Sequence, residues 1–182
     1  MPPLGTCCNI AYRRPMTAHI HMICGLTGAG KTTYSERLRR DLSGARFSID
    51  DWMARLFFMD RDPASDFDWF YERVQRCCSQ MRDTAADVLT GGMPVVFDCG
   101  FTNLHERQIF YNWADEQGWP VTLHFLDVDP DTCWSRVEQR NAEQGETFSL
   151  HVTRDMFDFM RRIWQPPEET ELAARSGLRI EG

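Results

Sequence analysis

Gly25-Leu26-Thr27-Gly28-Ala29-Gly30-Lys31-Thr32 fits the pattern G-x-x-x-x-G-K-[ST] at each fixed position, and its flanks decide how it is read. Residues 19–24 (HIHMIC) are a short apolar run of strand character. Residues 31–42 place Tyr34, Leu38 and Leu42 on one helical face. A strand, a glycine-rich turn and a helix in that order let backbone N–H groups turn inward around a chain of phosphates, because glycine accepts the backbone angles this needs. The helix adds the partial positive charge of its N-terminus. Gly25, Thr27, Gly28, Ala29, Gly30, Lys31, Thr32 and Thr33 are therefore the candidate nucleotide-binding residues. Lys31 is expected to reach the β- and γ-phosphates, and the Thr32 hydroxyl to ligate magnesium, so the expected ligands are ATP and Mg2+. Arginine occurs 19 times in the chain and lysine once, and that one lysine is Lys31.

Outward from the loop, strand-like and helix-like patterns alternate. Further strands are expected over 46–49, 94–98 (PVVFD), 121–127 (VTLHFLD) and, as a short edge, 178–181. Helices are expected over 51–59, 68–89, 103–117, 130–144 and 151–164. Their stops are Gly91-Gly92, Gly118 and Pro166-Pro167, and Asp129 stands as an N-cap before Pro130. Such alternation predicts an α/β fold of three layers: a parallel sheet of about five strands covered by helices on both faces, the architecture of a P-loop NTPase. Ligands of such sheets bind at the carboxyl ends of the strands. Residues 1–18 show no periodicity and read as a loose tail before a single domain over 19–182.

Two strand ends carry carboxylates. Asp98 closes the apolar run 94–98, where an acid can hold magnesium directly or through water; a plain turn aspartate is the alternative. Asp50 and Asp51 follow the second strand. A carboxylate there can take the proton of an acceptor hydroxyl, whereas either aspartate could instead cap the helix beginning at Trp52. Arg136 and Arg140 lie four apart and share a helix face ahead of the polar stretch 141–146. They read either as lid arginines that neutralise charge during transfer or as a solvated face paired with Glu138 and Glu143. Arg154, Arg161 and Arg162 are weaker candidates for that role. The lid is expected at about 136–155.

The loop GLTGAGKTT, the segment FSIDD after the second strand, VVFDCGFTNLHERQ, and VEQRN before a polar stretch together resemble the small P-loop kinases. That group includes bacteriophage polynucleotide kinase, zeta-type toxins, chloramphenicol phosphotransferase and gluconate kinase. The resemblance runs over roughly residues 20–167. It implies that Asp50 is the general base, that Lys31 and Thr32 hold phosphate and magnesium, that Asp98 matches the strand-end acid, and that Arg140 is the lid arginine. Polynucleotide kinase has an arginine three residues after its base, on the acceptor side; here that position is Met53.

Residues 52–71 lie where the group builds its acceptor pocket. They contain Trp52, Phe57, Phe58, Phe67, Trp69, Phe70 and Tyr71 together with Asp60, Asp62, Asp66 and Asp68. Read functionally, they form an aromatic pocket with an acidic rim for an apolar or cationic small molecule. Read structurally, the aromatics pack the core and the aspartates are solvated. The net charge of −7 argues against a grip on long nucleic acid, which needs a basic footprint.

The expected function is transfer of the ATP γ-phosphate to a hydroxyl, with a small-molecule acceptor ahead of a nucleic-acid 5′-hydroxyl or a zeta-type toxin substrate. An ATP-binding or ATP-hydrolysing switch is the reading from another class. A GTPase is disfavoured because no lysine remains for an N-K-x-D motif. The seven cysteines are odd in number and include no C-x-x-C pair, which favours reduced thiols. With no apolar run near the ~20 residues that span a bilayer and no leader pattern, the expected location is cytoplasmic.

Overall fold

Strand β1 (Ile20–Gly25) is buried along nearly its whole length because it lies in the middle of the sheet, paired in parallel on both sides. The computed structural model describes residues 18–62, 67–143 and 151–182. Beside β1 run β3 (Val95–Asp98) and β4 (Val121–Asp127). Beyond these lie β2 (Ala45–Ser48) and β5 (Leu178–Glu181), giving the order β2-β3-β1-β4-β5. Every pairing is parallel. The five expected strands and the three-layer α/β architecture are present.

Parallel strands buried on both faces need apolar side chains of both parities, and two cores result. One face of the sheet buries Met22, Phe47, Phe97 and Leu123 with Met81, Phe110 and Leu172. These last residues come from helices α3 (Phe67–Thr90), α4 (Leu104–Gln117) and α7 (Glu169–Ala174). The other face buries Ile23, Val96 and Leu126 against Cys133, Val137 and Phe157, of α5 (Pro130–Glu143) and α6 (Arg154–Ile163), with Leu38 of α1 (Lys31–Leu42) packed alongside.

Several boundaries differ from expectation for local reasons. The helix expected over 51–59 is α2 (Ile49–Leu56) followed by a 3-10 turn, Phe58–Asp60. Its cap is the Ser48 hydroxyl, which accepts from the Asp51 N–H, so both Asp50 and Asp51 sit in the first turn rather than capping it. Helix α7 was not anticipated: six residues after Pro166-Pro167 are too few to show a period. Asp129 does cap α5, accepting from the N–H groups of Asp131 and Thr132. Cys24, Cys77, Cys78, Cys99 and Cys133 are free thiols; Cys7 and Cys8, like the rest of the expected tail through residue 17, lie outside the described residues. No helix among the described residues is long and apolar enough to cross a membrane.

Candidate active site

The strand order puts the phosphate loop, Asp50 and Asp98 at the same edge of the sheet, each just after or at the end of its strand. They share one cavity of about 490 Å³. Gly25, Thr27, Gly28, Gly30, Lys31, Thr32 and Thr33 line it, as do Asp50, Asp98, Arg136 and Arg140. Ala29 does not. Its side chain is buried in the core cluster beneath the loop, so it could serve a ligand only through its backbone.

The loop has the form a phosphate chain needs. Gly28 and Gly30 take left-handed backbone angles, φ +89° and +92°. At Gly28 there is also no room for a side chain, since a Cβ would stand 2.2 Å from the Cys133 carbonyl oxygen. No side chain caps α1 and no acidic residue occupies its first turn, which leaves its N-terminal N–H groups to an anion. The Lys31 ammonium folds back to donate to the carbonyls of Gly25 (2.8 Å) and Leu26 (3.0 Å), holding it over the loop.

Asp98 is held by groups that local sequence patterns do not reveal. Its Oδ2 accepts from the Ser35 hydroxyl (2.9 Å) and from Arg46 Nη2 (2.7 Å). Arg46 rises from β2 with a side chain 7% exposed, and it also bonds Ser35, Glu36 and Asp51. It joins β2 to α1, α2 and β3. The one available signal was its parity with Ser48 on a strand whose other face is apolar. Asp51 is thereby a partner of Arg46 (2.9 Å).

Asp50 faces the open cavity, reachable by water from one side and crowded by protein on the others. That crowding makes its charged form costly and raises its pKa above the usual carboxylate value. Asp98 adds to the rise, while Lys31 and Arg140 oppose it. Arg140 carries a buried Nε with no hydrogen-bond partner among the described residues, and Arg136 stands exposed at the cavity wall. Neither makes the ion pairs with Glu138 or Glu143 considered above; Glu143 accepts from Gln139 instead. Arg154 pairs with Asp158 and covers Trp134. Of the expected lid, residues 144–150 lie outside the described residues. Asn141 clasps its two flanks, bonding both the carbonyl and the N–H of Val152.

The far wall of the cavity bears on the two readings of residues 52–71, a pocket or core packing. Trp52, Phe57, Phe58, Trp69 and Phe70 all pack against the core, Phe58 and Phe70 also line the cavity, and Phe67 and Tyr71 are exposed. None of Asp60, Asp62 and Asp68 lines the cavity, and Asp66 lies outside the described residues. The wall is completed from α3, α4 and α6 by Arg82, Glu106, Phe110 and Met160, with Trp164 just beyond α6. Met53, where a nucleic-acid kinase of the resembled type has arginine, is buried at the cavity edge. Cys78 and Cys99 also line the wall. The Cys99 thiol is pushed well above its ordinary value, first by its hydrogen bond with Cys78 and then by burial, which argues against a nucleophilic role.

A second buried charge holds the wall in place. Arg107 of α4, 1% exposed, forks onto Glu171 of α7 (2.6 and 2.9 Å) and donates to the carbonyls of Phe101 and Gln165. The Tyr111 hydroxyl donates to the same carboxylate. These bonds fix the loop after β3, which carries Cys99 to Thr102, against the chain leaving α6.

Comparisons with known proteins bear on this geometry. A family described as "AAA domain" matches residues 20–167. A protein assigned as a kinase from Chloroflexus aurantiacus superposes with a TM-score of 0.69 at 18% identity, over 91% of this chain and 88% of its own. Kti12 of Chaetomium thermophilum, solved with ADP-AlF3, gives 0.68 at 14% identity, over 89% and 88%. The APS kinase CysC of Mycobacterium tuberculosis, solved with AMPPNP and APS, gives 0.62 at 16% identity, over 92% and 90%. At such identities the likeness is one of fold, that of the P-loop kinases.

Proposed function

Since the chain belongs to the AAA domain family and has the P-loop kinase fold, we propose that it is an ATP-dependent phosphotransferase whose acceptor is the hydroxyl of a small molecule. One observation carries this reading: the phosphate loop, Asp50 and an aromatic wall belong to a single cavity, so a triphosphate and a second molecule can meet there with a base at hand.

In this reading the loop amides and Lys31 hold the phosphates. Asp50 takes the proton of the acceptor hydroxyl as its oxygen bonds to the γ-phosphorus. The bond from that phosphorus to the β–γ bridging oxygen breaks, and ADP leaves with the electron pair. The raised pKa of Asp50 makes it a stronger base than an ordinary carboxylate. Arg140 and Arg136 face the charge that spreads over the transferred group. The Thr32 hydroxyl and Asp98 would hold magnesium, which neutralises phosphate charge when bound. The donor set fits it, because magnesium takes few protein ligands and completes its shell with phosphate and water. Arg46 and Ser35 both engage Oδ2 of Asp98, which leaves Oδ1 for that purpose.

The test is transfer of labelled γ-phosphate from ATP–magnesium to a panel of nucleosides, sugars, nucleotide sugars, hydroxylated antibiotics and 5′-hydroxyl oligonucleotides, with Asp50→Asn as control. Label entering a small-molecule class, and lost in the control, supports the proposal. Label entering only the oligonucleotides moves the acceptor to nucleic acid. Label found only as free phosphate, slowly and whatever the acceptor, refutes transfer in favour of an ATP switch.

A further inference from the structure

Arg82 of α3 reaches the cavity wall half-buried, and among the described residues its guanidinium makes no hydrogen bond or ion pair. It lies over the Phe110 ring, with its carbon Cζ 5.0 Å from the ring centroid. The carboxylate nearest in kind on that wall, Glu106, is already committed. One oxygen accepts from the Thr102 N–H (2.7 Å) and the other from the Asn103 amide (3.0 Å). The cations acting most on Asp50 are Lys31 and Arg140, whereas Arg82 acts on Cys78 at the aromatic wall.

A guanidinium that lines a cavity with no protein anion bound to it can take a ligand's anion in a forked, charge-assisted contact. The face of Phe110 keeps the guanidinium in place for it. Around it, Phe58, Phe70 and Trp164 offer apolar surface for the rest of a ligand. On the reading of this cavity as a kinase acceptor site, we propose that the acceptor is an anionic compound, carrying a phosphate or a carboxylate on an apolar or aromatic body, and that Arg82 is the residue that selects it. This is the opposite sign to the one that the pocket reading of the aspartates at residues 60–68 gave.

Matched probes test the inference: benzyl alcohol against 4-(hydroxymethyl)benzoate, and adenosine against adenosine 3′-monophosphate. Binding is read by calorimetry and transfer by labelled ATP, for the wild type, Arg82→Met and Arg82→Lys. Met keeps the apolar stem and Lys keeps the charge. We expect the wild type to favour the charged member of at least one pair by about tenfold, or ~1.4 kcal/mol, chiefly in Kd or KM. That ratio should collapse towards one in Arg82→Met and return in part in Arg82→Lys. The pair that discriminates tells carboxylate from phosphate.

Equal binding of charged and neutral members by the wild type, including no binding of either, overturns the inference, as does a ratio that survives in Arg82→Met. A loss that is merely structural would lower both members together and leave the ratio intact. Failure of the kinase reading looks different. Charge discrimination in binding with no label transferred to any probe would leave Arg82 as an anion site and remove the phosphotransferase. Label passing equally to both members would keep the phosphotransferase and remove the role of Arg82.

Discussion

Nη2 of Arg46 donates to Oδ2 of Asp98 across 2.7 Å, with the two side chains 7% and 6% exposed. The pair joins the second strand of the sheet to the strand-end acid of the candidate active site, and Ser35 and Asp51 complete the network. A buried ion pair is poor evidence of net stability, because desolvation consumes much of what attraction supplies, but removing one partner strands the other.

Arg46→Met should therefore destabilise the fold by about 3 kcal/mol or more, since it leaves Asp98 buried beside one hydroxyl. The double variant Arg46→Met, Asp98→Asn should recover a good part of that loss. Urea denaturation of the singles and the double closes the cycle. A single-variant loss below about 1 kcal/mol would show that water or a rearranged side chain replaces Arg46 at little cost.

Asp50→Asn should leave ATP binding intact and lower transfer by about a hundredfold or more, the usual contribution of a positioned base. The same change should raise the melting temperature at neutral pH. A carboxylate whose folded pKa lies above its unfolded value contributes stability at low pH and loses it as pH rises through the folded value. At neutral pH the charged Asp50 is thus a cost that the amide lacks. The acid limb of the wild-type rate profile should correspondingly lie above the ordinary aspartate value of 3.8. Unchanged transfer in the variant removes the base assignment, and an unchanged melting temperature removes the electrostatic one.

The two positive-φ glycines of the loop should separate by their surroundings. In Gly28→Ala the new methyl meets the Cys133 carbonyl 2.2 Å away, on the backbone of the helix that carries Arg136 and Arg140. In Gly30→Ala it meets nothing within 4 Å, and only the backbone strain at φ +92° remains. We expect Gly30→Ala to cost about 1–2 kcal/mol. Gly28→Ala should cost more and weaken ATP binding besides, as fluorescent-nucleotide titration beside thermal melting would report. Equal losses in both would mean that α5 yields readily.

Structure that lives on one local segment was legible in the sequence: the form of the loop Gly25–Thr33, the alternation of strand and helix, the position of the aspartates at strand ends and the Asp129 cap all carry their signal within a few residues. Contacts between distant segments were not. Arg46 reads as an ordinary strand residue until β3 and α1 are placed around it. Arg107 reads as a surface helix arginine until Glu171, 64 positions later, meets it. The aromatic run after Asp50 left pocket and core packing both open, because its composition could not say which rings also reach the cavity, nor that the cavity's far wall would come from α3, α4 and α6. Arg82 sits on a helix whose period marks it only as flanking the buried Met81.

A cluster of neutral imidazoles should make the fold sensitive to mild acid. His21 Nδ1 lies 2.9 Å from His124 Nε2, the Tyr34 hydroxyl lies 2.8 Å from His124 Nδ1, and His19 bonds Thr122. Burial, then the neighbouring histidines, lower the pKa of His21 to about 3 and of His124 to about 4; burial lowers that of His19. In the unfolded chain these rings titrate near 6.5. The unfolded state therefore binds more protons between pH 6.5 and about 4, and stability falls as pH falls through that window. From pH 6.5 to 5 the loss should approach about 1.5 kcal/mol for each of His21 and His124. Urea midpoints measured from pH 8 to 4.5 should be level above 6.5 and decline below it. His21→Leu should flatten the decline, because one titrating ring is gone. A wild-type midpoint that stays level down to pH 5 would mean that these rings accept protons in the folded state nearly as readily as in the unfolded chain.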